Sequence, residues 1–129
     1  ERAVSHARSR LSSRATLHCG DATQIDFEAP FDLVMMLEVL EHLDTPEVML
    51  DRLDRLTTRH LILSVPWEPY FRGMNFARGK YVGRLGNHPE HVQNWTRKGF
   101  LAFVEQRFDI LVHRPRAFPW TLVLAERRY

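Results

Sequence analysis

Apolar residues recur along this chain at two spacings, and the alternation between them predicts its elements. Ala3, Val4, Ala7 and Leu11 lie at helical intervals with Arg2, Arg8 and Arg10 between them, so residues 1–11 read as an amphipathic helix. Ala15–Cys19 is a short strand candidate, closed by a Gly20-Asp21-Ala22 turn. Leu33–Leu37 is an unbroken run of large apolar residues, the pattern of a strand buried on both faces. Met49, Leu50, Leu53 and Leu56 form one helical stripe, with Asp51, Arg52, Asp54 and Arg55 facing water. Its start is marked by Asp44 or Thr45 as cap, Pro46 in the first turn, and Glu47 at the positive end of the helix dipole.

Leu61–Val65 is the next strand, stopped by Pro66. Strand, helix, strand in this order predicts a right-handed crossover, with Leu33–Leu37 and Leu61–Val65 parallel. Residues 66–93 show little periodicity, apart from a short helix over Met74–Val82; Gly79, Gly83 and Gly86 read as turn residues. Thr96 caps a last helix whose apolar face is Phe100, Leu101, Phe103, Val104 and Phe108. Asp109–His113 and Thr121–Ala125, joined by a short proline-containing loop, should pair antiparallel and extend the sheet.

Polar chemistry begins where Leu33–Leu37 ends. Glu38, Glu41 and His42 stand three and four apart, so one helical turn would bring them to one side, at the carboxyl end of a parallel strand where open α/β sheets bind ligands. Glu41 and His42 could equally cap and solvate the turn. Further on, His88 and His91 could orient a substrate, act as a base, or bind metal, or serve only to cap the helix. Trp67, Tyr70, Phe71 and Tyr81 could wall an acceptor pocket or simply pack.

The phrase Phe31 to Leu43, FDLVMMLEVLEHL, resembles the fourth-strand motif of the class I S-adenosylmethionine-dependent methyltransferases, and Gly20-Asp21-Ala22 resembles the family's third motif. The resemblance implies an α/β fold: a partial Rossmann-like sheet, with parallel central strands, an antiparallel C-terminal hairpin, and the N-terminal strands missing. It implies that Asp21 accepts a hydrogen bond from the adenine amino group, that Ala22 meets the ring through its backbone N–H, and that Leu37 contacts the cofactor. It also implies that residues 66–95 form an acceptor-side insert or lid, carrying His88 and His91 as the catalytic candidates.

The family's glycine-rich loop and its ribose-binding acid have no counterpart here, since no G-x-G occurs. The whole of 1–129 therefore reads as one partial methyltransferase domain, binding S-adenosylmethionine weakly by itself and inactive as a fragment. EVLEH followed by Glu90-His91 and Trp95-Thr96-Arg97 is similar to ubiquinone-pathway O-methyltransferases in its first phrase and to small-RNA 2′-O-methyltransferases in both. That similarity implies a divalent Mg, Mn or Zn ion on Glu38, Glu41, His42 and His91. Asn94 stands where the RNA enzymes carry glutamate, which weakens the RNA reading more than the metal one.

The expected activity is O-methyl transfer to a small-molecule acceptor, ahead of RNA. The rival is a non-catalytic remnant that self-associates, a homodimer by strand swapping. Composition changes this picture little. A net charge of +2 does not imply nucleic acid, although Arg72, Arg78, Lys80 and Arg84 form a run without an acid, suited to solvent or to an anionic substrate. The single cysteine, Cys19, fits a reducing compartment. No apolar run spans a bilayer and no signal-peptide pattern is present, so a cytoplasmic protein without a membrane partner is expected.

Overall fold

The computed structural model describes residues 2–8, 10–11, 15–85, 92–114 and 117–128. Helix α1 (Arg2–Arg8) ends where the amides of Arg10 and Leu11 both donate to the Ala7 carbonyl. The sheet then builds from β1 (Phe31–Leu37), helix α2 (Pro46–Leu56) and β2 (Thr57–Pro66). Helices α3 (Glu68–Ala77) and α4 (Arg97–Val104) follow, and β3 (Phe108–His113) and β4 (Trp120–Arg127) close the chain.

The strand order is β1-β2-β4-β3. β1 and β2 run parallel, with Val34 opposite Leu61 and Met36 opposite Leu63. β4 returns antiparallel to β2 and to β3, setting Leu63 opposite Val123, and Leu61 and Ile110 opposite Ala125. The crossover and the terminal hairpin are thus as the sequence predicts.

This register puts Leu61, Leu63, Val65, Val123 and Ala125 on one face, because strand side chains alternate. On that face they bury with Met49, Leu50 and Leu53 of α2 and with Phe100, Phe103 and Val104 of α4. Pro46 opens α2 beyond Thr45, which forms no side-chain cap. Thr96 does cap α4, its Oγ1 accepting from the Gly99 amide at 3.1 Å. Phe108 starts β3 instead of closing α4, and is fully buried.

Three sequence expectations are corrected. β1 is not buried on both faces: Val34 and Met36 pack on the core, while Leu33, Met35 and Leu37 on the opposite face stay between 46% and 56% exposed. The run is apolar on both sides, but α2 and α4 serve only one. Residues 15–19 form no strand, since a strand exists through its ladder and β1 is the sheet's edge, paired only with β2 among the described residues. The helix expected over 74–82 instead covers Glu68–Ala77. Pro69 sits in its first turn, where a missing N–H costs nothing.

Candidate functional site

The chain leaves β1 through Glu38, whose φ of 55° lies in the left-handed region that costs a non-glycine residue about 1–2 kcal/mol. Two bonds to β2 hold it there. Its amide donates to the Ser64 carbonyl at 3.1 Å, and the Ser64 hydroxyl donates to Glu38 Oε1 at 2.7 Å. A single 3₁₀ turn, Leu40–His42, follows, pinned by the fully buried Leu40.

Glu41 is also fully buried, and its carbonyl accepts from the amides of both Val92 (2.9 Å) and Gln93 (3.0 Å). Gln93 adds a side-chain bond from Nε2 to the Leu43 carbonyl at 3.2 Å. The turn after β1 and the segment before α4, fifty residues apart in sequence, are therefore stitched together at the carboxyl end of the parallel strands.

The same turn takes the place of the α-helical turn on which the spacing of these side chains would gather them. A left-handed residue followed by a 3₁₀ turn lacks the i to i+4 geometry of an α-helix. Glu38 is drawn to β2 and Glu41 inward, while the half-exposed His42 ring keeps Nε2 at 3.9 Å from Glu41 Oε1. Among the described residues no three His, Cys, Asp or Glu side chains gather to hold a metal ion. The expected ion was to be held by Glu38, Glu41 and His42 together with His91. His88 and His91 lie outside the described residues.

The Gly20-Asp21-Ala22 turn forms as expected, with the amides of Gln24 and Ile25 on the Asp21 carbonyl. Asp21 Oδ1 accepts from the Thr23 amide (2.8 Å) and hydroxyl (2.7 Å), and Oδ2 from Gln24 Nε2 at 3.2 Å. The Thr23 hydroxyl first, and its amide second, hold the Asp21 carboxyl below its ordinary value. An ionised carboxylate has about four lone-pair sites, so Oδ2 retains capacity for a further donor. Ala22 is exposed, and Leu37 presents a half-exposed side chain at the end of β1.

Between α3 and the segment leading into α4, a cavity of about 340 Å³ is lined by Glu68, Pro69, Arg72, Asn94 and Thr96. The fully buried Glu68 stands in the first turn of α3, its amide on the Trp95 carbonyl at 3.2 Å. Sequence reading missed Glu68; the available signal was an acid beside a proline directly after a strand. Of the aromatics read as possible walls, Trp67 stacks under the Arg97 guanidinium at 5.1 Å and edges onto Phe118, as does Tyr70. Phe71 meets Trp120, and Tyr81 is exposed.

Comparison with known proteins gives a family-model match to the first half of the chain and a set of similar folds. A family model described as a methyltransferase domain matches residues 1–63. No curated protein matches the chain. Among solved structures, magnesium protoporphyrin IX methyltransferase from Synechocystis PCC 6803 with bound SAH is 23% identical, with a TM-score of 0.58; the match covers 84% of this chain and 49% of that one. A chain of the complex between the Haloferax volcanii Trm112 methyltransferase activator and a methyltransferase aligns at TM-score 0.75 and 11% identity, over 98% of this chain and 67% of that one. The N-methyltransferase NodS from Bradyrhizobium japonicum aligns at TM-score 0.66 and 17% identity, over 99% and 69%. At such identities the likeness speaks for the fold. The chain spans about half to two thirds of these structures' lengths.

Proposed function

We propose that this chain is part of a class I S-adenosylmethionine-dependent methyltransferase, and that it supplies the adenine edge and the acceptor side of a site that transfers a methyl group to an oxygen of a small-molecule acceptor. When bound, S-adenosylmethionine supplies a methyl group on a sulfonium, activated for in-line displacement, which leaves positioning to the protein. Asp21 accepts the adenine amino hydrogen, the Ala22 amide meets the ring, and Leu37 packs on the cofactor at the strand end. The acceptor's polar group enters the cavity beside Glu68, Arg72 and Asn94, while His88 or His91 orients it or takes its proton.

The observation that carries this reading is the stitch from the Glu41 carbonyl to the Val92 and Gln93 amides, which ties the strand end to the acceptor-side segment. Isothermal titration tests it. A protein extended over the rest of the domain should bind S-adenosylmethionine, with Asp21→Asn lowering affinity about tenfold, the loss of one charge-assisted bond. The chain alone should bind weakly or not at all, because the methionine and ribose anchors are absent from it. An extended protein without affinity for the cofactor would overturn the reading.

A second reading has its own support in the bare face of β1. Half-exposed Leu33, Met35 and Leu37 on an edge strand favour pairing with another segment or copy. Light scattering that finds this chain monomeric at high concentration would remove it.

A further inference from the structure

The end of α3 combines two properties that soluble surfaces usually keep apart. Phe76, Val82 and Leu85 are 50%, 52% and 66% exposed, and Tyr81 is exposed beside them. Between Phe71 and Leu85 the sequence carries Arg72, Arg78, Lys80 and Arg84 and no acid.

Residues 74–85 form one tip and not an extended loop, whereas Arg72 lines the cavity farther back on α3. The Arg78 amide closes on Met74, the Gly79 amide on Phe76, and the Lys80 amide reaches back to the Asn75 carbonyl at 2.8 Å. Gly79, Tyr81 and Leu85 all take positive φ, of 69°, 54° and 51°, which folds the chain tightly behind the helix end. The Leu85 amide then closes on Val82 at 3.0 Å. The exposed cations Arg78 and Lys80 and the exposed Phe76, Tyr81, Val82 and Leu85 thus stand within a few residues of one helix terminus.

We infer that this tip is a docking surface for an anionic lipid bilayer. Clustered cations complement a negatively charged leaflet, and exposed aromatic and aliphatic residues among them reach the acyl boundary, the composition of an interfacial anchor. Nucleic acid fits less well. Single strands are held by stacking on aromatic rings, and the two most exposed residues here, Val82 and Leu85, are aliphatic. The expectation of no membrane partner rested on the lack of a spanning segment, and surface docking needs none; among the described residues no helix is long and apolar enough to cross. The tip lies one short helix, about 15 Å, from Glu68 in the acceptor cavity, so docking would bring that cavity near the interface.

Co-sedimentation of the whole protein with vesicles tests this independently of the methyl-transfer reading. Vesicles of phosphatidylcholine with phosphatidylglycerol should bind the protein, those of phosphatidylcholine alone should bind it far less, and added salt should weaken binding. Arg78→Gln with Lys80→Gln should lower partitioning at least about tenfold. Phe76→Ser with Leu85→Ser should also lower it, with an unchanged melting curve; if that pair alters melting, Val82→Ser serves instead, and should reduce binding too. No affinity for the anionic vesicles overturns the inference. So does vesicle binding that ignores the apolar substitutions, or binding confined to single-stranded RNA or polyglutamate.

Discussion

The Ser64 hydroxyl donates to Glu38 Oε1 at 2.7 Å, and this contact fastens the left-handed residue after β1 to the neighbouring strand. Ser64 is buried and its partner is a carboxylate. Ser64→Ala should therefore cost about 1.5 kcal/mol in urea unfolding. Glu38→Gly should be about 1 kcal/mol more stable than Glu38→Ala, because both lose the carboxylate but only glycine accepts a φ of 55° freely. Equal stabilities for the two would deny that the turn is strained.

The Asp21 carboxyl should titrate below 3.8 by carbon-detected NMR, because the Thr23 hydroxyl and amide stabilise its charged form. Thr23→Val removes the larger of these two causes and should move the titration up toward the ordinary value. With the folded value depressed, any stability this carboxylate contributes is present above 3.8 and is lost as pH falls through the folded value.

His113 sits on β3 with Nε2 buried and no hydrogen-bond partner among the described residues. Burial first, and the Arg97 guanidinium second, hold its ring below the usual 6.5. The fold thus favours the neutral ring. Its contribution is complete above 6.5 and is lost as pH falls through the lower folded value. Urea midpoints should decline on acidification across that range, and His113→Phe should flatten the decline.

Thr96→Ala should cost about 1 kcal/mol, since it removes the bond from the Gly99 amide at the start of α4, whereas Thr96→Ser should be near neutral. Gly99→Ala should gain less than the ~1 kcal/mol usual for this change in a helix, because a Cβ there would stand 3.0 Å from Thr96 Oγ1. Thermal melts of the three variants check both points.

The parallel pair, the crossover and the closing hairpin were legible in the sequence because each strand is a dense apolar run bounded by a turn residue. Legibility failed where an element depends on a neighbour. Leu33, Met35 and Leu37 carry the signature of a doubly covered strand, yet their cover is not among the described residues. Residues 15–19 have strand composition without a ladder partner. α3 hid behind Pro66 and Pro69, which read as breaks although one ends a strand and the other starts a helix. At the site, the turn that carries Asp21 was legible from its Gly-Asp-Ala sequence. The left-handed turn at Glu38 was not, because no sequence spacing announces a left-handed residue.

The central claim is that the carboxyl end of β1 and the Asp21 turn together face the methyl donor. Backbone NMR of the isotopically labelled protein, extended over the rest of its domain and titrated with S-adenosylhomocysteine, tests this most directly. The predicted result is saturable shifts of the Asp21, Ala22 and Leu37 amides at a common affinity, with Val92 and Gln93 responding through the Glu41 carbonyl. Saturable binding that leaves Asp21, Ala22 and Leu37 unmoved would contradict it.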